Sequence, residues 1–303
     1  MSLDSPLHLA AHPQPLDSVT VYSSPMVIPV TGPVVLDGAV AVAGSRVVHV
    51  GTRRWVFNEL KHDMATNGRV VEHHWNGIIT PGLINAHTHL QYTDMAEMGR
   101  GTYDRFRAWE IGFNTVYAKL QETRPWKESA YRGARMMVQS GTTAAADIVT
   151  DPEAVGALAS QGMHGIAYWE VMGWHNGDWK SEGIPELIDN LGHMHQEGLP
   201  SIGISPHAPY TLESGPFVDL PDIARQLDMR LHIHLAETPM EAGERDTTLT
   251  TYSAADWRDG QWASYKQLRA AGKGASAIQF VDQLGSLGPD VHIAHGVWAD
   301  AED

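Results

Sequence analysis

The stretch ITPGLINAHTHLQYTDM, Ile79–Met95, contains two histidines separated by one residue, His87 and His89. A Pro-Gly turn and a short apolar run come before them, which predicts that both lie at the end of a β-strand. Side chains at positions i and i+2 of a strand point to the same side. Both imidazole rings can therefore face one point, and a metal ion is the ligand that such a pair suggests.

Three later segments carry histidines at the predicted ends of other strands. SPHAPYT contains His207, LHIHLAET contains His232 and His234, and AHGVW contains His295. A single histidine on a strand is more often an ordinary core or surface residue. Four strand ends of this kind favour a shared metal site instead. His232 has the same parity as His234 and faces the same side, and we expect it to be a core residue or to support a metal ligand.

The order of the predicted elements indicates the fold class. From residue 79 onward, six short β-segments alternate with longer amphipathic segments, which predicts an α/β protein with a parallel sheet. Polar residues follow the strands, as in a (β/α)₈ TIM-type barrel whose active site lies at that face. A doubly wound open sheet is the alternative fold, but the chain has neither a GxGxxG nor a Walker loop. Residues 1–78 contain short β-segments and predict a separate small β-domain before the barrel of residues 79–303.

Composition excludes several classes of function. The formal net charge of −15 argues against a nucleic-acid partner. The absence of cysteine excludes disulfides, thiol nucleophiles and the deaminase fold that holds zinc through cysteines. No segment has the roughly 18 consecutive apolar residues of a membrane span, and the N-terminus does not resemble a signal peptide. We expect a cytoplasmic protein without a membrane partner.

Taken together and in this order, PGLINAHTH, SPHAPYT, HLAET and AHGVW resemble the motifs of the amidohydrolase superfamily. The resemblance is greatest to the branch that contains adenosine-type and guanine deaminases and triazine chlorohydrolases. LDGAVAVAGSRVVHVG also resembles the family's N-terminal β-sandwich, so the resemblance covers nearly the whole chain. It implies that residues 1–78 form part of such a sandwich.

The resemblance implies a role for each motif residue. The implied site residues are metal ligands (His87, His89 and His234), catalytic residues (Glu237 as proton shuttle and His295 as the group that orients water or substrate) and a substrate-binding residue (His207). Three histidines with an open position for water suit a catalytic zinc ion, with iron as the alternative. The third and fourth strands lack the lysine that bridges two ions in other amidohydrolases, so one metal ion is expected.

The expected reaction is hydrolysis of a carbon–nitrogen bond other than a peptide bond. Glu237 would protonate a ring nitrogen while water attacks the adjacent carbon, which prepares the amine to leave. The alternative interpretation is that Glu237 has no catalytic role and is an ordinary carboxylate at a helix N-terminus. The favoured substrate is an aminated purine- or pyrimidine-type heterocycle or nucleoside. The alternatives are a triazine-type chlorohydrolase, a cyclic amidohydrolase, and a metal- or ligand-binding protein without turnover.

Substrate selection is expected in the segment that follows the first barrel strand, QYTDMAEMGRGTYDRFRAWEIG. Its candidate contacts are Arg100 and Trp109 in the first place, with Tyr103 and Arg105 beside them. The partners expected are a small heterocyclic molecule and further copies of the chain, in a homodimer or a higher homo-oligomer.

The length of the chain leads to a final expectation. Only six strand–helix repeats can be counted before the sequence stops at Asp303, and the last lacks its helix. The family's aspartate general base lies at the end of the eighth strand, so it is expected beyond residue 303. We therefore expect the chain to be part of a longer protein, and expect residues 1–303 alone to hold metal weakly and to show little catalysis.

Overall fold

The structure, a computed structural model, describes residues 15–104, 106–194, 201–238, 241–242 and 276–303. Contacts divide the chain into two compact units, Met1–Gly82 and Leu83–Asp303. None of the helices in the described ranges combines the length and the apolar character that a membrane crossing requires.

The N-terminal unit is built on one mixed sheet. Its elements are β1 (Leu16–Val27), β2 (Val35–Ala43), β3 (Arg46–Thr52), α1 (Arg53–Asp63), β4 (Met64–His74) and β5 (Ile78–Ile79). The strand order is β3-β2-β1-β4, and β5 pairs with β1. β2 and β3 are antiparallel neighbours. The described part of this unit forms a single sheet.

Helix α1 was not predicted, since this region was interpreted as β-segments and turns. The Thr52 side chain caps it by accepting a hydrogen bond from the Trp55 N–H at 3.3 Å. Val56 and Leu60, four residues apart, are buried in the small core of the sheet. The signal was therefore present as an i, i+4 apolar pair behind a threonine cap.

The second unit contains six parallel strands. They are β6 (Leu83–Thr88), β7 (Thr142–Val149), β8 (His164–Val171), β9 (Ser201–Pro206), β10 (Leu231–Leu235) and β11 (Val291–His295). Neighbours in the sheet are neighbours in sequence, and every adjacent pair is parallel. This topology confirms the predicted (β/α) succession and the partial TIM-type barrel.

Helices follow the strands, and apart from α2, which was not predicted, they lie in or next to the segments with an amphipathic pattern. The helices are α2 (Phe106–Gln121), α3 (Trp126–Gln139), α4 (Ala157–Ser160), α5 (Asn176–Asp178), α6 (Ile184–Met194), α7 (Ser214–Gln226) and α8 (Ala277–Gln283). Two 3₁₀ segments, Leu90–Arg100 and Pro152–Ala154, and a π-helical turn, Trp179–Gly183, complete the described helical structure. Trp179, Phe217 and Phe280 are completely or almost completely buried in the core of this unit.

The sheet curls so that its two outer strands converge at their C-terminal ends. The rings of His87, at the end of β6, and His295, at the end of β11, lie 5.0 Å apart although β6 and β11 are not paired among the described residues. Elsewhere these edge strands leave apolar side chains exposed, such as Leu83, Ile84 and Ile293. Because parallel strands place their C-terminal ends on one face, the motif residues of distant segments meet there.

Candidate metal centre

Three of the predicted residues come together at the C-terminal ends of β6 and β10. One ring nitrogen of each of His87, His89 and His234 lies within 4.8 Å of those of the other two. The Nε2 atoms of His89 and His234 are 3.3 Å apart. Two nitrogens bound to one tetrahedral zinc ion at ~2.0–2.1 Å would be about 3.3–3.4 Å apart, so this spacing fits a shared ion.

The hydrogen bonds of His234 leave a lone pair available for an ion. Its Nδ1–H donates to the carbonyl of His207 at 3.1 Å. A neutral imidazole carries one proton, so Nε2 of His234 is an acceptor on the side that faces His89. Nδ1 of His89 is buried without a hydrogen-bond partner among the described residues. These rings therefore have the free nitrogens that a cation requires.

Burial keeps the three rings neutral. Desolvation, followed by the neighbouring His295, lowers the pKa of His87 to about 4. Desolvation also holds the pKa values of His89 and His234 well below the ordinary range of histidine. Neutral imidazole is the form that coordinates a metal ion. The donor set and its spacing, together with the lowered pKa values, thus all fit a divalent cation.

His232 lies directly behind this cluster. It is 1% exposed, and its Nε2 is 2.9 Å from Nδ1 of His87. The two rings stack with an angle of 12° between their planes. His232 therefore supports the ring of His87, as expected for a core residue next to a ligand, and the described contacts do not include it among the groups that can share a metal ion.

Glu237 and His295 form an acid–imidazole pair beside the three histidines, with Glu237 half-buried and His295 partly exposed. Oε2 of Glu237 and Nε2 of His295 are 3.1 Å apart. Desolvation, with Glu241 and Glu170 adding to it, raises the pKa of Glu237 well above its usual value. Desolvation lowers the pKa of His295. Both shifts disfavour the charged forms, and a raised pKa is the property that a carboxyl group needs to act as a proton donor.

His207 completes the group of predicted residues that the structure brings together. Its Nδ1 is 2.7 Å from Oγ1 of Thr211, whose hydroxyl donates to the carbonyl of Ala208. The ring N–H therefore donates to Thr211, and Nε2 keeps a lone pair, because desolvation lowers the pKa of His207 to about 3. Nε2 lies 4.0 Å from Oε1 of Glu170.

Glu170, at the end of β8, has an incomplete set of hydrogen bonds. It is 8% exposed, and its Oε1 is buried without a hydrogen-bond partner among the described residues. Burial raises its pKa to about 8. A buried polar atom without a partner is unusual and suggests that a ligand supplies the missing bond. The gap between Glu170 and His207 can therefore take a cation or a polar group of a ligand, and the ligand atoms of Glu170, His207 and His234 also lie within 4.8 Å of one another.

The segment expected to select the substrate is mostly helical. Residues 90–100 form the 3₁₀ segment, and α2 begins at Phe106. Arg100 is exposed at the end of the 3₁₀ segment, with no described contact to the cluster, so the structure does not place it at the site. Tyr103 donates its hydroxyl back to the carbonyl of Met98. Arg105 lies outside the described residues.

Among the described residues, Trp109 is linked to the site through other aromatic rings. It is 36% exposed and packs against Phe106 and Phe113 at ring distances of 5.4 and 5.3 Å. Phe113 in turn contacts Tyr92, whose ring stacks on His89 at 5.6 Å. Tyr92, which was not singled out from the sequence, is thus the aromatic residue that touches the cluster. It follows His89 by three residues in the opening stretch.

Two buried carboxylates that hold the site's backbone were also not anticipated. Asp147 on β7 is 1% exposed and accepts a hydrogen bond from the N–H of Leu90, directly after His89, at 2.8 Å. Glu241 is completely buried and accepts hydrogen bonds from the turn that carries Glu237. Asp147 is the one charged residue in the apolar run TTAAADIV, which was a usable signal. Glu241 offered no such signal, because an acid after a strand is ordinary.

A comparison with curated proteins finds related deaminases. The chain is 26% identical over 233 residues to a 5-methylthioadenosine/S-adenosylhomocysteine deaminase from Thermococcus kodakarensis, which covers 75% of this chain and 48% of that protein. It is 23% identical over 273 residues to a 5′-deoxyadenosine deaminase from Methanobrevibacter smithii, which covers 87% of this chain and 53% of that one. The chain thus spans about half the length of the curated relatives it matches.

Among solved structures, an adenosine deaminase from Xanthomonas campestris with bound zinc shares the fold. The TM-score is 0.63 at 19% identity, and the match covers 93% of this chain and 58% of that one. The sequence profile of the amidohydrolase family matches residues 78–303, which include all six barrel strands and every histidine of the cluster. The chain belongs to the amidohydrolase family.

Proposed function

We propose that this chain binds one divalent metal ion, zinc in the first place, through His87, His89 and His234. We further propose that it serves hydrolytic deamination of an aminated purine-type heterocycle or nucleoside. The observation that carries the proposal is geometric: the Glu237 carboxyl group, 3.1 Å from His295, lies beside three imidazoles whose ligand nitrogens are within 4.8 Å of one another.

A bound divalent cation would supply Lewis acidity and lower the pKa of a water molecule towards neutrality. The described residues deliver a proton to the substrate and help to bind it. Glu237 gives a proton to a ring nitrogen of the substrate, which makes the adjacent carbon more electrophilic and assists departure of ammonia. His295, 3.1 Å from the Glu237 carboxyl group, helps to orient it. His207, with a lone pair on Nε2, accepts a hydrogen bond from an N–H or O–H of the substrate.

The choice of an adenosine-like substrate rests on the names of the sequence relatives, two of which are deaminases of modified adenosines. The arrangement of aromatic and polar groups agrees with it. Tyr92 supplies an aromatic face next to His89, and Glu170 supplies a polar atom that lacks a partner. A flat base with several ring nitrogens and an exocyclic amine can use both kinds of group.

Ammonia release from a panel of nucleosides tests the proposal. The panel contains adenosine, 5′-methylthioadenosine, 5′-deoxyadenosine, S-adenosylhomocysteine and guanosine, and the full-length protein, in place of residues 1–303 alone, is assayed after loading with zinc and, in parallel, with iron. We expect release of ammonia from at least one adenosine derivative, and one bound metal ion per chain by elemental analysis. A protein that binds metal but releases ammonia from none of them would contradict the deaminase assignment. Chloride release from a chlorotriazine in the same assay would favour the chlorohydrolase alternative.

A further inference from the structure

The completely buried carboxylate of Glu241 accepts four hydrogen bonds from one short turn. Its Oε1 accepts from the N–H of Ala236 at 3.1 Å. Its Oε2 accepts from the N–H groups of Glu237 and Thr238, at 3.1 and 3.0 Å, and from the Thr238 hydroxyl at 3.1 Å. Three consecutive backbone N–H groups directed at one anion form an anion-binding nest. Here the anion is a side chain of the same chain.

The turn of residues 236–238, which Glu241 holds, has a backbone conformation that is unfavourable by itself. Ala236 has a φ angle of +53°, in the left-handed region that residues with a Cβ atom rarely adopt. Such a conformation persists when surrounding contacts determine it, and it is concentrated at functional sites. The four bonds to Glu241 supply contacts of this kind, because they require the amides of residues 236–238 to point inward together.

The same turn brings Glu237 to its partner. The N–H of Trp298 donates to the carbonyl of Ala236 at 2.9 Å, and the N–H of Gly296 donates to the carbonyl of Leu235 at 3.0 Å. These bonds connect the turn to the residues directly after His295. The backbone of Glu237 is therefore held from one side by Glu241 and from the other by the end of β11, and its carboxyl group meets His295 as a result.

We propose that Glu241 is a positioning residue for Glu237: it holds the turn after β10 so that the Glu237 carboxyl group points at His295 and at the substrate. This inference rests on the proposed function of Glu237 as a proton donor. Glu241 is completely buried, and both of its oxygens accept bonds from the turn. Its effect on the reaction must therefore pass through Glu237.

A double-mutant cycle tests this dependence. In the full, zinc-loaded chain, Glu241→Gln leaves one carbonyl oxygen for the turn and places an NH₂ group against an N–H donor. We expect kcat on the best adenosine substrate to fall by about 10–100-fold with little change in KM, because a misplacement of about 1 Å costs this much. In a Glu237→Gln background the same change should lower kcat by less than about twofold, the limit within which non-interacting changes add.

Asp147→Asn is the matched control. Asp147 is also a buried acid bound to backbone, but it holds the N–H of Leu90 and not the turn of Glu237. Its effect on kcat should be the same in the wild-type and Glu237→Gln backgrounds. A merely destabilising role of Glu241 would give this additive pattern too, and equal losses of kcat from Glu241→Gln in both backgrounds would overturn the proposal.

Amide hydrogen exchange provides a test that does not depend on activity. Exchange at residues 236–238 should be faster in Glu241→Gln, while the amides of β10 keep their protection. If Glu241→Gln does not fold, Thr238→Val, which removes one donor and keeps the carboxylate, should show a smaller change in the same amides and the same non-additivity with Glu237→Gln.

The two readouts separate failure of this inference from failure of the proposed function. If the wild-type protein deaminates none of the nucleosides, the proposed function fails. Amide exchange then still tests whether Glu241 holds the turn of residues 236–238. Unchanged exchange at residues 236–238 would overturn the anchoring role in either case.

Discussion

Histidines of the two units lie in opposite physical settings. In the N-terminal unit, His49 pairs with Asp63 at 2.6 Å, and the exposed rings of His73 and His74 contact Tyr22 and Ser23. In the barrel unit, the rings of His87, His89 and His234 face one another, and further histidine rings lie beside them. The number of histidines is therefore a poor indicator of a metal site. Convergence of buried rings without an acid or hydroxyl partner is a better one.

This difference has an electrostatic cause. A ring beside a carboxylate or in water can carry a proton, and its nitrogens are then occupied. Rings that are buried together lose the charged form, because desolvation and mutual repulsion both oppose protonation. The barrel cluster shows this effect in the lowered pKa values of His87, His89 and His234. The cluster is thus prepared for a cation before one binds.

Removal of a barrel histidine should have the largest effect. His234→Ala should lower zinc affinity by more than the ~10–100-fold that loss of a supporting group costs, because it removes a ligand itself. His49→Ala, the control in the other unit, should change zinc affinity by less than about twofold, since its ring already pairs with Asp63. Competition with a chromogenic chelator measures both. Equal losses in the two variants would show that the barrel cluster is not the metal centre.

The next largest effect concerns a comparison of two of the acid–histidine pairs in the barrel unit, Glu237 with His295 and Glu213 with His175. Glu237→Gln should retain zinc and lower deaminase turnover by at least ~10²-fold, because it removes the proton donor. Glu213 pairs with His175 at 3.4 Å, but its partner is 46% exposed. Glu213→Gln should therefore leave turnover almost unchanged. Loss of zinc from Glu237→Gln would instead place this residue among the ligands, and full turnover would make it a structural carboxylate.

Asp147 should make stability fall as the pH rises. Burial raises its pKa in the folded protein to about 8, above the ~3.9 of an unfolded chain. The folded state therefore binds the Asp147 proton more tightly than the unfolded state does. This difference adds to the free energy of unfolding in full below about pH 4, and the contribution is lost as the pH rises from about 4 to about 8. Asp147→Asn can still accept from the Leu90 N–H. It should be more stable than the wild type at about pH 9, by on the order of 1–3 kcal/mol in urea unfolding. A less stable Asn variant at that pH would contradict this assignment.

Glu72 in the N-terminal unit should have a smaller effect on the pH dependence of stability, and here stability should fall as the pH falls. Its bidentate bonds with Arg53, at 2.6 and 2.7 Å, lower its pKa to about 2. The ionised Glu72 therefore adds to the free energy of unfolding above ~4.3, the pKa of glutamate in the unfolded chain. This contribution is lost as the pH falls towards 2. Because Arg53 is largely exposed, solvent and salt screen the pair. Glu72→Gln should remove this loss of stability in acid, and an unchanged acid limb of the unfolding curve would contradict the prediction.

The strand ends of the barrel were predictable because they depend on local rules. The side-chain period of a strand places His87 and His89 on one side, and the same rule places His232 with His234. The regular succession of strands and helices predicted the parallel order that the sheet has. Helices α1 and α2 were missed because their apolar residues, spaced three and four apart, stand among turn-forming or aromatic residues. The spacing of Phe106, Trp109, Phe113 and Tyr117 is helical in retrospect.

The sequence by itself thus determined the order of the elements, the sides that the motif histidines face and the family to which the chain belongs. Only the tertiary structure decided which groups hold them in place. The bond from Leu90 to Asp147 joins residues that are 57 positions apart, and the contact of His87 with His232 joins residues 145 apart. Contacts of this kind depend on how the sheet curls and on where each turn leaves a strand, and no local pattern contains that information. For this reason the motifs identified Glu237, whereas the carboxylate that positions it could be recognised only in the folded chain.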